Sequence, residues 1–360
     1  MTYLANPWRS KGLPPQSGLA EGQITIDDHL VLKLLSQCPA HAETPLVNAQ
    51  ELANRLGIQS LYIKDERPRM GLGSFKALGA AFAIAKTAYE KAGESVFDPQ
   101  RAKTALDGQV FVTASAGNHG LSVAAGARVF GARAVIYLAQ TVPSGFAQRL
   151  RDKGAEVVIE GEDYEASMAA AAKAAQDNGW RLLSDSTWAE DTSGKDVMEG
   201  YLALSAEMVA QYEAANDAPP SHVYLQAGVG GLAAAVAASL RHHWDDSVQI
   251  TVVEPTAAPA LQESIRAGKP VATQGPASNM GRLDCKEPSH LALKALAQDA
   301  DGFVTLEDDD VAEKIQQLEA VGLHTSPSGG AGFAGVVTDA TQLGAQARVL
   351  VILSEDAADD

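Results

Sequence analysis

The chain has 360 residues, of which 46% are hydrophobic and 20% are charged, a composition typical of soluble globular proteins. Its 45 acidic and 28 basic residues give a net charge of −17, which argues against general binding to nucleic acid or to anionic membranes, because both need a basic surface. Two cysteines, Cys38 and Cys285, are too few for a disulfide framework or a four-cysteine zinc site.

Three further features of the sequence indicate where the protein is expected to be found in the cell. The N-terminal residues lack the apolar core of a signal peptide. The longest apolar stretches, such as residues 232–240, are too short to span a bilayer. The low cysteine count is typical of a reducing compartment. We therefore expect a cytoplasmic enzyme or binding protein with no metal site and no membrane or nucleic-acid partner.

The first predicted strand is 60–66, and an apolar helix opens near Lys76. From residue 109, strands and helices alternate at a spacing of roughly 23 residues, which is typical of βαβ units. The predicted strands there are 109–115, 132–139, 155–161 and 181–185, and the helices are 120–131, 144–154 and 163–179. Right-handed crossovers then predict a small parallel sheet that is covered on both faces.

A second alternation begins near residue 195. Its predicted strands are 221–228, 248–255, 302–306 and 347–354, its helices are 198–211, 231–244, 258–268, 289–298 and 309–322, and a glycine-rich turn precedes the last strand. The pattern predicts an α/β fold of two open, twisted domains. We expect residues 1–84 and 182–360 to form the large domain, and residues 85–181 to form a small domain of three βα units.

Lys76 lies in the first of four small-residue turns that adjoin predicted strands. In open α/β sheets, ligands bind outside the carboxyl ends of the strands, so these turns are where a site is expected. Most lysines are exposed, which is the simpler interpretation of Lys76. The alternative is an amine whose pKa is lowered by burial and which forms a Schiff base.

The second and fourth turns carry polar side chains at strand ends. In SAGNHG (115–120), Asn118 either caps the following helix or donates to a cofactor oxygen, while His119 is more typical of a packed residue. Ser354 ends the last strand. Its hydroxyl either bonds locally or faces a heteroaromatic nitrogen.

The third turn, QAGVGGLAAA (226–235), brings closely spaced peptide N–H groups to a helix N-terminus. This arrangement binds phosphate. The same letters also match G-x-G-x-x-A with Glu254 ending the next strand, a dinucleotide fingerprint. A phosphorylated aldehyde bound to Lys76 would use all four turns, whereas NAD would use only the third.

These motifs together resemble the fold-type II pyridoxal-phosphate enzymes, the relatives of tryptophan synthase β, threonine dehydratase and cysteine synthase. The resemblance rests on GLGSFKALGAA, TASAGNHG, QAGVGGLAAAV and VLVILS, in that order. Further segments, including TPLVNAQELANRLGIQSLYIKDE, EGYLALSAE and MGRLDCKEPSHLAL, are similar to diaminopropionate ammonia-lyase. The resemblance covers about residues 44–356 and implies a cofactor held in the cleft between the two domains.

The resemblance also implies roles for individual residues. Lys76 would carry the Schiff base and act as the base at the substrate α-carbon, and Asp185 would bind or deprotonate the β-ammonium side unless it is only a strand-end cap. The implied cofactor-binding residues are Lys76, Asn118, Gly228, Val229, Gly230, Gly231, Leu232 and Ser354. The implied substrate-binding residues are Thr113, Ser115, Ala116 and His119.

Ala116 departs from the family pattern. Diaminopropionate ammonia-lyases that act on both enantiomers carry an aspartate at this position, and serine racemases carry a serine. Alanine has no proton acceptor. We therefore expect poor activity on D-amino acids and weak racemisation.

The expected reaction is α,β-elimination from a small L-amino acid, with 2,3-diaminopropionate as the leading substrate, to give a 2-oxo acid and ammonia. The alternatives are a serine, threonine or 3-hydroxyaspartate dehydratase, a β-replacement synthase, and, from a different class, an NAD-binding oxidoreductase. The resemblance further implies a homodimer.

Overall fold

The strands of the protein form two separate sheets. The computed structural model describes residues 2–357. In chain order its strands are β1 (Thr2–Ala5), β2 (Leu46–Asn48), β3 (Ser60–Asp65), β4 (Val110–Ala114), β5 (Arg133–Leu138), β6 (Glu156–Ile159), β7 (Arg181–Leu182), β8 (His222–Gln226), β9 (Gln249–Pro255), β10 (Gly302–Leu306) and β11 (Arg348–Leu353). Strands β4 to β7 form a four-stranded sheet, and the others form a seven-stranded sheet.

Helices connect most of these strands and cover both sheets. They are α1 (His29–Leu35), α2 (Gln50–Leu56), α3 (Lys76–Ala92), α4 (Pro99–Ala102), α5 (Asn118–Val129), α6 (Ser144–Asp152), α7 (Tyr164–Asn178), α8 (Lys195–Gly200), α9 (Leu202–Ala215), α10 (Gly231–Trp244), α11 (Ala260–Ala267), α12 (His290–Asp299), α13 (Asp308–Glu319) and α14 (Pro327–Leu343). Every helix within residues 2–357 falls short of the length and hydropathy of a membrane span.

The strand order explains how the chain builds two sheets. The larger sheet runs β1-β10-β9-β8-β11-β3-β2, with parallel inner strands and antiparallel β1 and β2 at its edges. The smaller sheet, β6-β5-β4-β7, is parallel throughout. The chain thus leaves the larger sheet after β3 and returns to it at β8. The predicted α/β fold is confirmed, while the exact domain boundaries stay a prediction.

The inner strands are buried on both faces. Along β11, Leu350 and Ile352 join the apolar cluster that contains α10, whereas Val349 and Val351 join the cluster that contains α14. Successive side chains of a strand point to opposite faces. A strand covered on both faces therefore has a continuous hydrophobic run, as this one does.

The glycine-rich turn predicted before the last strand is wrong, because α14 occupies most of that segment. Glycine disfavours a helix by about 1 kcal/mol, which is why the composition indicates a turn. The packing supplies the reason for the helix. A Cβ at Gly332 would lie 2.9 Å from the carbonyl oxygen of Tyr224, and one at Gly335 would lie 3.0 Å from the Tyr224 ring. Only glycine lets this helix lie so close to β8.

Smaller differences concern short elements. The strand predicted at 181–185 pairs only over Arg181–Leu182, since the chain then turns away toward Asp185. The helix predicted at 198–211 is divided at Tyr201 into α8 and α9. The edge strands β1 and β2, of 4 and 3 residues, were too short to predict from periodicity.

The two cysteines, Cys38 and Cys285, are both free thiols.

Candidate active site

Lys76 and Asp185 form an ion pair that links segments from the two sheets. Lys76 is the first residue of α3, which follows β3 of the larger sheet, and Asp185 follows β7 of the smaller sheet. Lys76 Nζ donates to Asp185 Oδ2 at 2.5 Å, and the two side chains are only 18% and 21% exposed. The interpretation of Lys76 as an ordinary surface lysine is therefore wrong.

A buried charge network holds the segment that precedes Lys76. Arg69, which has no exposed surface, donates pairs of hydrogen bonds to Glu66 and to Glu207 at 2.7–2.8 Å. The next residues include Met70 at φ 51° and Gly73 at φ 76°, a left-handed conformation that is strained for methionine and allowed for glycine. The network anchors this strained segment.

The electrostatics of the pair differ from the sequence expectation. Burial by itself lowers the pKa of Lys76, but the Asp185 carboxylate outweighs burial and raises that pKa above its usual value. Burial likewise raises the pKa of Asp185, yet the Lys76 ammonium holds it well below its usual range. The prediction of a burial-lowered lysine pKa is wrong, because the Asp185 carboxylate lies 2.5 Å from Lys76 Nζ.

Asn118 joins the turn after β4 to the end of β11. It is the first residue of α5, and Gly117 occupies the N-cap position, so the helix-cap interpretation of Asn118 is wrong. The Asn118 side chain instead donates from Nδ2 to Glu355 Oε2 at 2.8 Å. Ser326 Oγ donates to the other oxygen of the same carboxylate at 2.5 Å.

Ser115 stabilises the turn itself. Its hydroxyl oxygen accepts from the backbone N–H groups of Gly117 at 3.3 Å and of Gly120 at 3.1 Å. Ala116 presents its carbonyl oxygen to the guanidinium group of Arg282 at 3.3 Å. The turn is therefore fixed by its own residues on one side and by Arg282 on the other.

Thr113 and His119 lie deeper, with exposed fractions of 0% and 4%. His119 Nε2 lies 2.9 Å from the carbonyl oxygen of Leu183, and burial lowers the pKa of this histidine. Within residues 2–357, the Thr113 hydroxyl and His119 Nδ1 have no hydrogen-bond partner. His119 is thus a packed, neutral residue here, and a role of either residue in substrate binding stays a prediction.

The glycine turn lies between β8 and α10. Gly230 has φ 98° and caps α10, which begins at Gly231. A Cβ at Gly228 would lie 2.9 Å from Cys285 Sγ, and one at Gly231 would lie 2.9 Å from Met198 Cγ. Glycine therefore lets this turn pack closely against Cys285 and Met198 at the N-terminus of α10, and a helix N-terminus favours an anion.

Ser354 follows β11 and is 4% exposed. Gln226 Nε2 lies 3.1 Å from Ser354 Oγ, and because an amide nitrogen only donates, the serine oxygen is the acceptor. Gln226 Nε2 also lies 2.8 and 2.9 Å from the carbonyl oxygens of Gly329 and Ile352, so its two N–H groups are shared among three acceptors. Among residues 2–357, the hydroxyl group of Ser354 donates to no acceptor.

The hydrogen bonds of Glu254 argue against a dinucleotide-binding site at the glycine turn. Its carboxylate is fully buried, and its two oxygens accept from the backbone N–H groups of Leu261 and Gln262 at 2.7 and 2.8 Å. The residue thus caps α11 and offers no oxygen to a ribose hydroxyl. The G-x-G-x-x-A letters occur here without the acidic partner that an NAD site needs.

Sequence reasoning missed three polar neighbours of the site. Glu355 follows Ser354 directly and accepts from Asn118, and Gln226 precedes the glycine turn. Arg282 reaches the turn at Ala116 from a segment distant in sequence. The only indication in the sequence was that each of these three residues is polar or charged and lies inside a motif that had already been singled out.

Cys285 lies beside Gly228. Burial raises the pKa of its thiol to about 11, so the thiol stays protonated at neutral pH.

Comparison with known proteins identifies the family. The sequence profile of the pyridoxal-phosphate dependent enzymes matches residues 38–355, most of the chain. The chain belongs to this family. The expected resemblance is therefore confirmed, and with it the cofactor, pyridoxal phosphate.

Within the pyridoxal-phosphate dependent enzymes, several similar proteins are diaminopropionate ammonia-lyases. The chain is 32% identical to diaminopropionate ammonia-lyase of Salmonella typhimurium, over 91% of this chain and 88% of that enzyme. It is 34% identical to the enzyme of Escherichia coli K12, over 76% and 70%. A crystal structure of the Escherichia coli enzyme with an aminoacrylate-PLP azomethine reaction intermediate has a TM-score of 0.87 and 27% identity, covering 99% of this chain and 94% of that chain.

The residues present fit pyridoxal phosphate. The glycine turn places peptide N–H groups at the N-terminus of α10, where a phosphate would bind. Ser354 would offer its hydroxyl proton to the ring nitrogen, and Lys76 would offer its amine to the aldehyde. Four separate segments of the chain provide these groups, and contacts join the segments: the Phe75 N–H donates to the carbonyl oxygen of Ser354 at 3.0 Å, and Gln226 Nε2 lies 3.1 Å from Ser354 Oγ.

Proposed function

We propose that the protein is an ammonia-lyase that eliminates the β-amino group of L-2,3-diaminopropionate. In balance, the substrate and one water give pyruvate and two molecules of ammonia. The observation that carries the proposal is the ion pair of Lys76 with Asp185, which places a proton-transferring amine beside a carboxylate suited to a cationic leaving group. The similarity to two diaminopropionate ammonia-lyases supports the same substrate.

Pyridoxal phosphate, when bound, supplies an electron-accepting ring that acidifies the α-hydrogen of an amino acid. We assign its attachment to Lys76, its phosphate to the backbone of the glycine turn, and its ring hydroxyl to Asn118, which would exchange its bond to Glu355. Ser354 would donate to the ring nitrogen. The residues assigned to the phosphate are Gly228, Val229, Gly230, Gly231 and Leu232. A neutral hydroxyl supports less charge on the ring than a carboxylate does, which favours elimination over a long-lived carbanion.

Lys76 is assigned to remove the α-proton, and Asp185 controls when it does so. An amine accepts a proton only when it is neutral, and Asp185 favours the charged form of Lys76. A β-ammonium group that binds Asp185 competes for this carboxylate and lowers the pKa of Lys76. Substrate binding would thereby activate the base. Proton transfer by a positioned group is worth about 10²–10⁴-fold in rate.

The turn after β4 is assigned to the substrate. Ser115 holds this turn in place, and Ala116 offers no acid or base on its side chain. Thr113 and His119 complete the predicted set. Because a second base is lacking at Ala116, we propose that the enzyme prefers L-amino acids.

Release of 2-oxo acid from a panel of substrates tests the proposal. We expect pyruvate from L-2,3-diaminopropionate at a higher kcat/KM than from L-serine, and little product from L-threonine or 3-hydroxyaspartate. Lys76→Ala should lose activity, whereas Lys173→Ala should keep it, because the side chain of Lys173 is 73% exposed on α7. A preference for a hydroxyl leaving group would overturn the assignment in favour of a dehydratase.

We propose further that the enzyme is a cytoplasmic homodimer. The two free cysteines agree with a reducing compartment, and the family resemblance supports the dimer. Light scattering during size-exclusion chromatography tests the assembly: a mass twice that of the 37.6 kDa chain is expected, and a monomer would contradict the dimer.

A further inference from the structure

Arg282 reaches the substrate turn from outside it. Its backbone N–H donates to Ser328 Oγ at 3.0 Å, and its carbonyl oxygen lies 3.1 Å from where a Cβ at Gly228 would be. The main chain of Arg282 is therefore fixed beside the glycine turn. Its guanidinium lies over Gly117, with Nη1 2.7 Å from where a Cβ of that residue would be.

The guanidinium of Arg282 has few partners for its five N–H groups. Within residues 2–357, its one hydrogen bond runs from Nη1 to the carbonyl oxygen of Ala116 at 3.3 Å. The nearest carboxylate, Glu355, lies 3.9 Å from Nε and already accepts from Asn118 and Ser326.

Other arginines of the chain are paired more closely. Arg67, Arg69 and Arg241 each lie 2.5–2.7 Å from a carboxylate oxygen. The side chain of Arg282 is also 38% exposed, so water or a ligand has access to its free donors. A cation held in this way at the rim of a cleft can bind an additional anion.

We propose that Arg282 binds the carboxylate of the substrate and thereby determines which amines the site accepts. The planar guanidinium matches a carboxylate with two parallel hydrogen bonds. The N-terminus of α5, beside Gly117, favours the same charge. The inference rests on the proposed function because it concerns the same substrate.

The charges then orient 2,3-diaminopropionate across the cleft. The carboxylate of the substrate faces Arg282, and its β-ammonium group faces Asp185. An amine without a carboxylate would leave Arg282 unpaired and gain nothing from it. Arg282 is thus a specificity-determining residue rather than part of the proton-transfer machinery.

The test compares ligands that differ only by the carboxylate. Removing hydrogen bonds to a charged group costs about 1.5–3 kcal/mol, or roughly 10–100-fold. In the holoenzyme, Arg282→Gln should raise the KM for L-2,3-diaminopropionate by about that factor and change kcat little, and Arg282→Lys should recover part of the loss. A titration of the cofactor absorbance should show weaker binding of the amino acid but unchanged binding of 1,2-diaminoethane.

Two results would overturn the proposal: equal weakening for both ligands, which indicates general damage to the site, or no weakening for either. Arg133→Gln is the matched control, since Arg133 begins β5 and its side chain is 61% exposed; it should change neither constant. If the wild-type enzyme does not convert L-2,3-diaminopropionate, the proposed function fails. The pair L-serine and ethanolamine then tests Arg282 independently.

Discussion

Replacement of Asp185 by asparagine tests the electrostatics of the site most sharply. The substitution keeps the shape of the side chain and removes the charge that faces Lys76 Nζ at 2.5 Å. At an effective dielectric constant of about 20, two unit charges at that separation attract by roughly 7 kcal/mol. Burial opposes part of this attraction, since it disfavours the charged amine.

We therefore expect Asp185→Asn to lower the pKa of Lys76 by up to about 5 units, the equivalent of the ~7 kcal/mol attraction, because burial is the same in both enzymes. Asp185 raises the pKa of Lys76, so its removal leaves burial, which lowers that pKa, as the largest contribution. The assay is competitive acylation of the cofactor-free enzyme over a range of pH, with the extent of modification at Lys76 read by mass spectrometry. Only the neutral amine reacts, so the midpoint of the profile reports the pKa.

A matched control uses an exposed pair. Lys173 and Asp177 form an ion pair on α7 with side chains that are 73% and 55% exposed. Asp177→Asn should leave the profile of Lys76 unchanged. If the Asp185→Asn midpoint stays at or above that of the wild type, the carboxylate does not control the lysine, and the assigned activation by the substrate ammonium is refuted.

Three more predictions concern other regions. Burial raises the pKa of Glu254 to about 8. The contribution of Glu254 to stability is therefore present below the ordinary carboxyl pKa and is lost as pH rises through about 8. Thermal unfolding between pH 5 and 8 should show a flatter pH dependence in Glu254→Gln, by at most about 1.4 kcal/mol per pH unit. Ala116→Asp should introduce a second base and increase activity on D-2,3-diaminopropionate, measured by pyruvate release; an unchanged D-to-L ratio would count against this role. Gly332→Val should lower the free energy of unfolding, measured in urea, by about 3 kcal/mol. The reason is that the new Cβ would lie 2.7 Å from Gln226 Oε1 and 2.9 Å from the carbonyl oxygen of Tyr224. A variant as stable as the wild type would show that α14 can move away from β8.

The parts of the fold that periodicity fixes were predictable. The buried strands β4, β5, β8, β9 and β11 follow from continuous apolar runs, and the helices between them follow from spacing. The helix α14 was not predictable, because its glycines indicate a turn locally. These glycines are needed because the helix packs directly against Tyr224. Tyr224 lies about 110 positions earlier in the sequence, so no local sequence pattern indicates this contact.

The candidate site likewise contains residues that the sequence could indicate and contacts that it could not. Motifs identified Lys76, Asn118 and the glycine turn, since each lies at the end of an apolar strand or the start of a helix. The partners that set their chemistry come from elsewhere in the chain: Glu355 holds Asn118, and Asp185 reverses the expected pKa shift of Lys76. Side-chain distances across a cleft decide these effects, and sequence spacing does not contain them.

The most direct measurement concerns the bond between Lys76 and the cofactor. The purified enzyme, supplemented with pyridoxal phosphate, is reduced with borohydride, digested and examined by mass spectrometry. The expected result is a protein that is yellow before reduction and that afterwards carries the reduced cofactor on the peptide that contains Lys76, with no attachment in Lys76→Ala. A colourless protein, or label on a different lysine, would contradict the assignment of this site.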